Sequence, residues 1–157
     1  MSLQYLLDGY NIIHQIPNLS LEKLEVQRET LLKLISVYAP QGSFKNKVTV
    51  VFDGQAGISY PAATTSTHVI FSRDESADDV IKRCVDESQN SKNMIVVTDD
   101  RSVQYAVRAL GAKVMSVKDF LSKIKTVKSK ATKETKYISK SVEWGITAEL
   151  ERLWLKK

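Results

Sequence analysis

The sequence is poor in the residues that build disulfide frameworks and zinc sites. Its 157 residues include one cysteine, Cys84, and two histidines, His14 and His68. One cysteine excludes an intramolecular disulfide, and so few soft ligands make a Cys/His zinc site hard to build. No stretch approaches the ~20 apolar residues of a membrane span, and the first eight residues do not resemble a signal peptide. We therefore expect a cytoplasmic protein.

Several motifs of nucleotide and acyl chemistry are also missing. The first predicted strand is not followed by a glycine-rich dinucleotide fingerprint, and the sequence contains neither a GxxxxGK[ST] phosphate loop nor a GxSxG nucleophile elbow. These absences argue against a dinucleotide-binding domain, a P-loop enzyme and a serine hydrolase. Cys84 is interpreted as a core residue, and His14 as a packed or solvated side chain rather than a general base.

The positive charge of the chain is concentrated at one end. Residues 1–124 contain 14 basic and 14 acidic residues, whereas residues 125–157 contain 9 basic and 4 acidic ones, which accounts for the net charge of +5. A basic extension on a neutral domain indicates a polyanionic partner such as RNA or DNA. A solubilising or disordered end remains the alternative.

Strand patterns alternate with helix patterns along residues 1–124. Strands are predicted at 2–7, 47–52, 67–71, 93–97 and 112–115, and helices at 20–38, 76–89 and 101–110, with a short helix opening at 116. This order predicts an α/β domain with an open, doubly wound sheet and helices on both faces. Residues 125–157 are predicted to form a basic tail, with one amphipathic helix near residues 146–155.

Aspartates follow several of these strands. Asp8 ends the first strand, Asp53 the second, and Asp99 and Asp100 the fourth, while Asp78 begins a helix. The carboxyl ends of parallel strands share one edge, so we expect these acids to converge. Two carboxylates ~4 Å apart repel by roughly 4 kcal/mol at an effective dielectric near 20. A proton, a basic side chain or a divalent cation must offset this repulsion, and oxygen ligands favour Mg²⁺ or Mn²⁺.

Each acid also has an ordinary structural interpretation. An Asp-Gly pair after a strand is common turn chemistry, which covers Asp8 and Asp53. Asp78 and its neighbour Asp79 favour the dipole of their helix, and Asp99 or Asp100 is well placed to cap the next one. The common edge, rather than any single residue, is what indicates a site.

Five ordered segments resemble a known family. They are LLDGYNII, QRETLLKLISVYA, VVFDG, ESADDVIKR and VVTDDRSVQYAVRALGAKVMSVKDFL. Together they resemble the YacP-like NYN-domain proteins, which are similar to the PIN-like group of metal-dependent ribonucleases. The resemblance covers about residues 3–124, and the tail from Lys125 is predicted to lie outside it.

The resemblance implies a PIN-like three-layer α/β/α sandwich with a mainly parallel five-stranded sheet. It also implies an Mg²⁺- or Mn²⁺-dependent endoribonuclease that acts on mRNA, in association with the ribosome. Carried over motif by motif, the metal-binding acids are Asp8, Asp78 and either Asp99 or Asp100. Asn11 would orient a metal-bound water or a phosphate, and Asp53 would be a further acid of the metal site.

The predicted phosphate contacts lie on both the domain and the tail. They are Arg28, Arg73, Lys82, Arg101, Lys125, Lys128, Lys130, Lys133 and Lys136. Two other functions stay open: a non-catalytic RNA- or ribosome-binding module that uses the tail, and a receiver-like phosphoacceptor at Asp53 with Thr98 and Lys118 as partners. The sequence leaves monomer and homodimer equally open.

Overall fold

Five parallel strands form one sheet in the centre of the protein, which is described here by a computed structural model. The model describes residues 2–43, 45–54 and 67–124. The strands are β1 (Gln4–Asp8), β2 (Lys47–Phe52), β3 (Thr67–Phe71), β4 (Met94–Val97) and β5 (Lys113–Met115). Their order is β3-β2-β1-β4-β5, and each neighbouring pair is parallel.

Helices cover both faces of the sheet. They are α1 (Gly9–Ile13), α2 (Leu24–Tyr38), α3 (Ala77–Glu87), α4 (Arg101–Ala109) and α5 (residues 117–124). Side chains of β1 alternate between two buried clusters: Tyr5 and Leu7 pack with α1, α2 and α5, whereas Leu6 packs with α3 and α4. The predicted three-layer α/β/α sandwich with a parallel five-stranded sheet is confirmed.

The direction of winding reverses between β1 and β4. The chain passes from β1 to β2 and β3 on one side, then crosses to β4 and β5 on the other. Leu7 of β1 pairs with Val97 of β4, so the next residues along the two chains, Asp8 at the end of β1 and Thr98 just after β4, lie side by side. Ligand sites of open α/β sheets lie at the carboxyl ends of the strands flanking such a reversal.

Local capping chemistry agrees with the sequence. Ser76 accepts a hydrogen bond from the Asp79 backbone N–H at 3.1 Å, and Ser116 accepts one from Asp119 at 3.1 Å. Gly111 has a φ of 100°, which is the left-handed conformation expected after α4. The sequence therefore placed the starts of α3 and α5 and the end of α4 correctly.

Two predicted elements were wrong. The chain does not enter a loop after Asp8 but forms α1 at once, a five-residue helix that contains glycine and two β-branched residues and so has low intrinsic propensity. The next helix begins at Leu24 rather than Ser20, because Leu19–Leu21 form a 3₁₀ turn after Asn18, whose φ is 64°. The predicted tail lies outside the described residues.

Within the described ranges, none of the helices has the length and apolar character needed to cross a membrane.

Gly9 is required by the close approach of α1 to β2. A Cβ at this position would lie 2.5 Å from Phe52 Cδ1 and 3.0 Å from the Val51 carbonyl oxygen. We expect Gly9→Ala to lower the free energy of unfolding by about 1–3 kcal/mol, although alanine ordinarily favours a helix. Urea unfolding measures the effect.

The matched background is Phe52→Leu, which removes the ring that a Cβ would meet. Gly9→Ala should destabilise the Phe52→Leu protein less than it destabilises the wild type. Equal stability of Gly9→Ala and wild type would contradict the close approach.

Candidate active site

Asp8 is an unusually buried carboxylic acid. It lies at the end of β1 with 8% of its surface exposed, and its Oδ2 accepts a hydrogen bond of 3.1 Å from the Thr98 hydroxyl. Burial raises the pKa of Asp8 from 3.8 to about 6, and the negative charges of Asp78 and Asp100 add to the rise. The Thr98 hydrogen bond and the Asn11 backbone N–H oppose it.

Thr98 connects two of the acids through one hydroxyl group. The hydroxyl donates to Asp8 and accepts from the backbone N–H of Asp100 at 3.1 Å. The Thr98 carbonyl oxygen accepts a hydrogen bond of 2.7 Å from the Gln104 side chain of α4. Because Thr98 is fully buried, these bonds fix the turn that leads from β4 into α4.

Asp78 and Asp100 meet at the N-termini of α3 and α4. Asp100 caps α4, since its Oδ1 accepts from the backbone N–H groups of Ser102 (2.9 Å) and Val103 (3.3 Å). The pKa of half-buried Asp78 is raised chiefly by burial, and further by the negative charge of Asp100 and by a hydrogen bond between the two side chains. The positive charge of Lys82 opposes the rise. We call Asp8, Asp78 and Asp100 the acid cluster.

Asp99 is committed elsewhere, which does not support its predicted role as a metal ligand. Its Oδ1 accepts the backbone N–H of Val117 at 3.0 Å, and its Oδ2 accepts from the side chain of Gln15. Asp99 therefore holds the start of α5, while Asp100 faces the cluster. The structure thus separates two neighbouring aspartates that the sequence could not distinguish.

The side chains of Asp53 and Asn11 form hydrogen bonds with residues outside the acid cluster. Asp53 is exposed, and its Oδ1 accepts a 3.0 Å hydrogen bond from the Ser72 hydroxyl next to β3. Asn11 Oδ1 accepts the backbone N–H of Asp99 at 3.0 Å, which ties α1 to the turn after β4. Contact of Asn11 with a water or a phosphate stays a prediction. The hydroxyl of Thr98 bonds to Asp8 rather than Asp53, so it does not serve the receiver-like alternative.

Arg28 is not the surface phosphate contact that the sequence predicted. It is 4% exposed, its Nε donates to the Tyr10 hydroxyl at 2.9 Å, and its guanidinium lies 4.9 Å from the centre of the Phe71 ring. Its planar cation packs well on aromatic faces, which accounts for the burial.

The other predicted contacts differ in their exposure. Arg73 and Arg101 are exposed, and Lys82 is half-buried beside Asp78. Lys125, Lys128, Lys130, Lys133 and Lys136 lie outside the described residues.

Sequence reasoning missed Gln104 and Gln15 as parts of the site, and it named Thr98 only as a partner of Asp53 in the receiver-like alternative. The available signal was the Thr-x-Asp spacing after β4, since a threonine hydroxyl often accepts the backbone N–H two residues on. The side chain of Gln15, from the turn after α1, and that of Gln104, from α4, reach the turn after β4 through contacts that local patterns do not reveal.

Comparison with known proteins assigns the family. The model of the YacP-like NYN domain matches residues 5–157. The chain belongs to the YacP-like NYN family. This NYN domain is 28% identical over 155 residues to the protein YacP of Bacillus subtilis strain 168, which covers 94% of this chain and 90% of YacP.

Two crystal structures of Rae1 (YacP) from Bacillus subtilis share the fold. One has a TM-score of 0.72 at 26% identity and covers 97% of this chain and 90% of Rae1. The other, of a single-substitution mutant, has a TM-score of 0.70 at 24% identity and covers 98% and 92%.

The family match corrects the predicted limit of the resemblance. It continues through residue 157, so the basic tail is part of the sequence that the NYN family model recognises. The error arose because the ordered motifs that carry the resemblance end near residue 124.

The donor chemistry of the acid cluster fits a hard divalent cation. All three side chains offer carboxylate oxygens, and like charges together with burial disfavour the ionised form of Asp8. Among the described residues, no group of three or more His, Cys, Asp or Glu side chains lies in an arrangement that could hold a metal ion. The cluster is a close pair, Asp78 and Asp100, with Asp8 as a third charge acting on them.

The Thr98 hydroxyl has a direct stability test. Thr98→Val keeps the side-chain shape but removes the hydrogen bonds to Asp8 and Asp100, so we expect the free energy of unfolding to fall by about 1–3 kcal/mol. Thr98→Ser retains the hydroxyl and should lose less. Urea unfolding at pH 7.5 compares them, and equal losses in both variants would contradict the bridging role.

The buried charge of Asp8 predicts a pH-dependent stability. Because its pKa rises from 3.8 to about 6 on folding, the folded state binds the proton more tightly, and ionisation costs stability as pH increases through this window. In EDTA at pH 8, Asp8→Asn should therefore be more stable than wild type, by up to about 3 kcal/mol. Urea unfolding should show this advantage shrinking towards pH 5.

Asp79→Asn is the matched control, since Asp79 is exposed on the same turn as Asp78. It should show a small effect at both pH values. An Asp8→Asn protein that is less stable than wild type at pH 8 would contradict the electrostatic account.

Proposed function

We propose that this NYN domain is a metal-dependent endoribonuclease that hydrolyses RNA phosphodiester bonds. The observation that carries the proposal is the acid cluster: Asp8, Asp78 and Asp100 come from three separate elements and act electrostatically on one another near the point where the winding of the sheet reverses. The PIN-like, nuclease-type character of the NYN family supports the same chemistry.

The acid cluster would hold the cation, Mg²⁺ or Mn²⁺. A cation held there would supply Lewis acidity for hydrolysis of the phosphodiester. Asp8 and Asp100 are held in place by the Thr98 hydroxyl, and Asp100 is further fixed by its hydrogen bonds to α4. Lys82, beside Asp78, is a cation available to a substrate phosphate.

Charge supports RNA as the substrate. The net charge of +5 resides in residues 125–157, and basic segments bind the phosphate backbone by releasing counterions. From the resemblance to the YacP-like NYN family, we further propose that the substrate is mRNA at the ribosome, in the cytoplasm. Binding dominated by phosphate contacts would be salt-sensitive and weakly selective for bases.

Cleavage of a labelled single-stranded RNA tests the proposal. The wild-type full chain should cleave it with Mn²⁺ or Mg²⁺ and not in EDTA. Asp8→Asn, Asp78→Asn and Asp100→Asn should each lower the rate by roughly 100-fold or more, since even the outer partners of metal ligands are worth 10- to 100-fold. Asparagine still caps α4 at position 100, so that variant should fold.

Asp79→Asn again serves as the control and should cleave at the wild-type rate. Cleavage that persists in all three cluster variants would identify a contaminating nuclease. RNA binding by the wild type without cleavage would favour the non-catalytic module instead, which the basic tail alone could explain.

A further inference from the structure

Tyr105 is an exposed aromatic residue on the helix that Asp100 of the acid cluster caps. It lies on α4 with 80% of its surface exposed, although tyrosine has a large apolar ring. The buried side of α4 is formed by Val103 and Val107, so the packing of the helix does not use Tyr105. The site described above leaves this residue without a role.

Two arginines share the face of α4 that carries Tyr105. Arg101, Tyr105 and Arg108 are spaced four and three residues apart, which places them on one side of a helix over about 10 Å. All three are exposed, and α4 contains no acidic residue. We call these three residues the α4 stripe. Neither arginine forms an ion pair with another residue of the described ranges.

The α4 stripe begins at the acid cluster. Asp100 is the N-cap of α4, so Arg101 follows a cluster residue directly, and Arg108 lies two turns further along the helix. The stripe therefore extends from the proposed cleavage site across the outer face of the domain. A ligand bound there would be continuous with a ligand at the cluster.

We propose that the α4 stripe binds a single-stranded segment of RNA next to the scissile bond. Tyr105 stacks on a base, and Arg101 and Arg108 contact phosphates on either side. That the bound RNA is also the substrate rests on the proposed function. Exposed aromatics that alternate with basic residues suit single strands, because every base offers a π-face and every nucleotide a phosphate. Because α4 carries no acidic residue, its charge complements a polyanion better than a protein surface that carries both acidic and basic residues.

The experiment measures binding of a fluorescein-labelled 12-nucleotide single-stranded RNA to the full chain in EDTA, by anisotropy at several salt concentrations. Tyr105→Ala should weaken binding roughly tenfold, as expected for loss of one stacked base. Tyr105→Phe should bind within about twofold of wild type, whereas Tyr105→Leu should resemble Tyr105→Ala, because only an aromatic face stacks.

The arginines have a separate signature in the salt dependence. The double variant Arg101→Gln/Arg108→Gln should reduce the slope of log affinity against log salt by about 1.4, at about 0.7 for each phosphate contact on a single strand. Tyr105→Ala should leave that slope unchanged. Leu24→Ala changes an exposed residue of α2, which packs on the opposite face of the sheet from α4, so this control should alter neither affinity nor slope.

Cleavage assays on the same preparations separate this inference from the proposed function. If the wild type cleaves RNA but none of the α4 substitutions changes its affinity for RNA, the inference is overturned and the proposed nuclease function is retained. A protein partner would then be the remaining explanation for the exposure of Tyr105. If binding depends on the stripe but wild type does not cleave, the stripe stands and the nuclease fails. Failure of the full chain to bind the RNA overturns the inference.

Discussion

The pairing of β1 with β4 brings Asp8 to the turn that leads into α4, and the rest of the site follows from that constraint. The pairing places Asp8 beside Thr98, and α3 and α4 bring Asp78 and Asp100 towards it. The neighbouring carboxylates repel one another, and burial makes the ionised form of Asp8 less favourable still. The fold thus places an electrostatically unfavourable group of acids at the edge where α/β proteins bind ligands.

Helix N-termini make this arrangement tolerable. Each acid of the cluster stands at one: Asp8 before α1, Asp78 in the first turn of α3, and Asp100 at the cap of α4. The partial positive charge of a helix N-terminus favours a nearby carboxylate, although α1 has only five residues. The Thr98 hydroxyl and the Asn11 contact to Asp99 then fix the turns between these elements. The scaffold therefore positions the acids through backbone geometry as much as through side chains.

Periodicity predicted the sheet and four of the five helices, and the acids of the cluster were among the aspartates that the strand ends, the start of α3 and the family resemblance singled out. Local sequence patterns did not predict the features that depend on contacts between distant parts of the chain. Helix α1 forms despite low propensity because Ile12 and Ile13 are buried in the core, and Gly9 admits Phe52. Asp99 and Asp100 are equivalent in the sequence, and the hydrogen bonds to Val117 and Ser102 separate them. Arg28 shows the same limit, since its aromatic surroundings come from three separate elements.

The central proposal is that Asp8, Asp78 and Asp100 together bind a divalent cation. Diffraction from crystals of the full chain soaked in Mn²⁺, recorded at a wavelength where manganese scatters anomalously, tests it most directly. The account predicts an anomalous peak within coordination distance of all three carboxylates. A map in which manganese binds elsewhere, with these carboxylates bare, would contradict it.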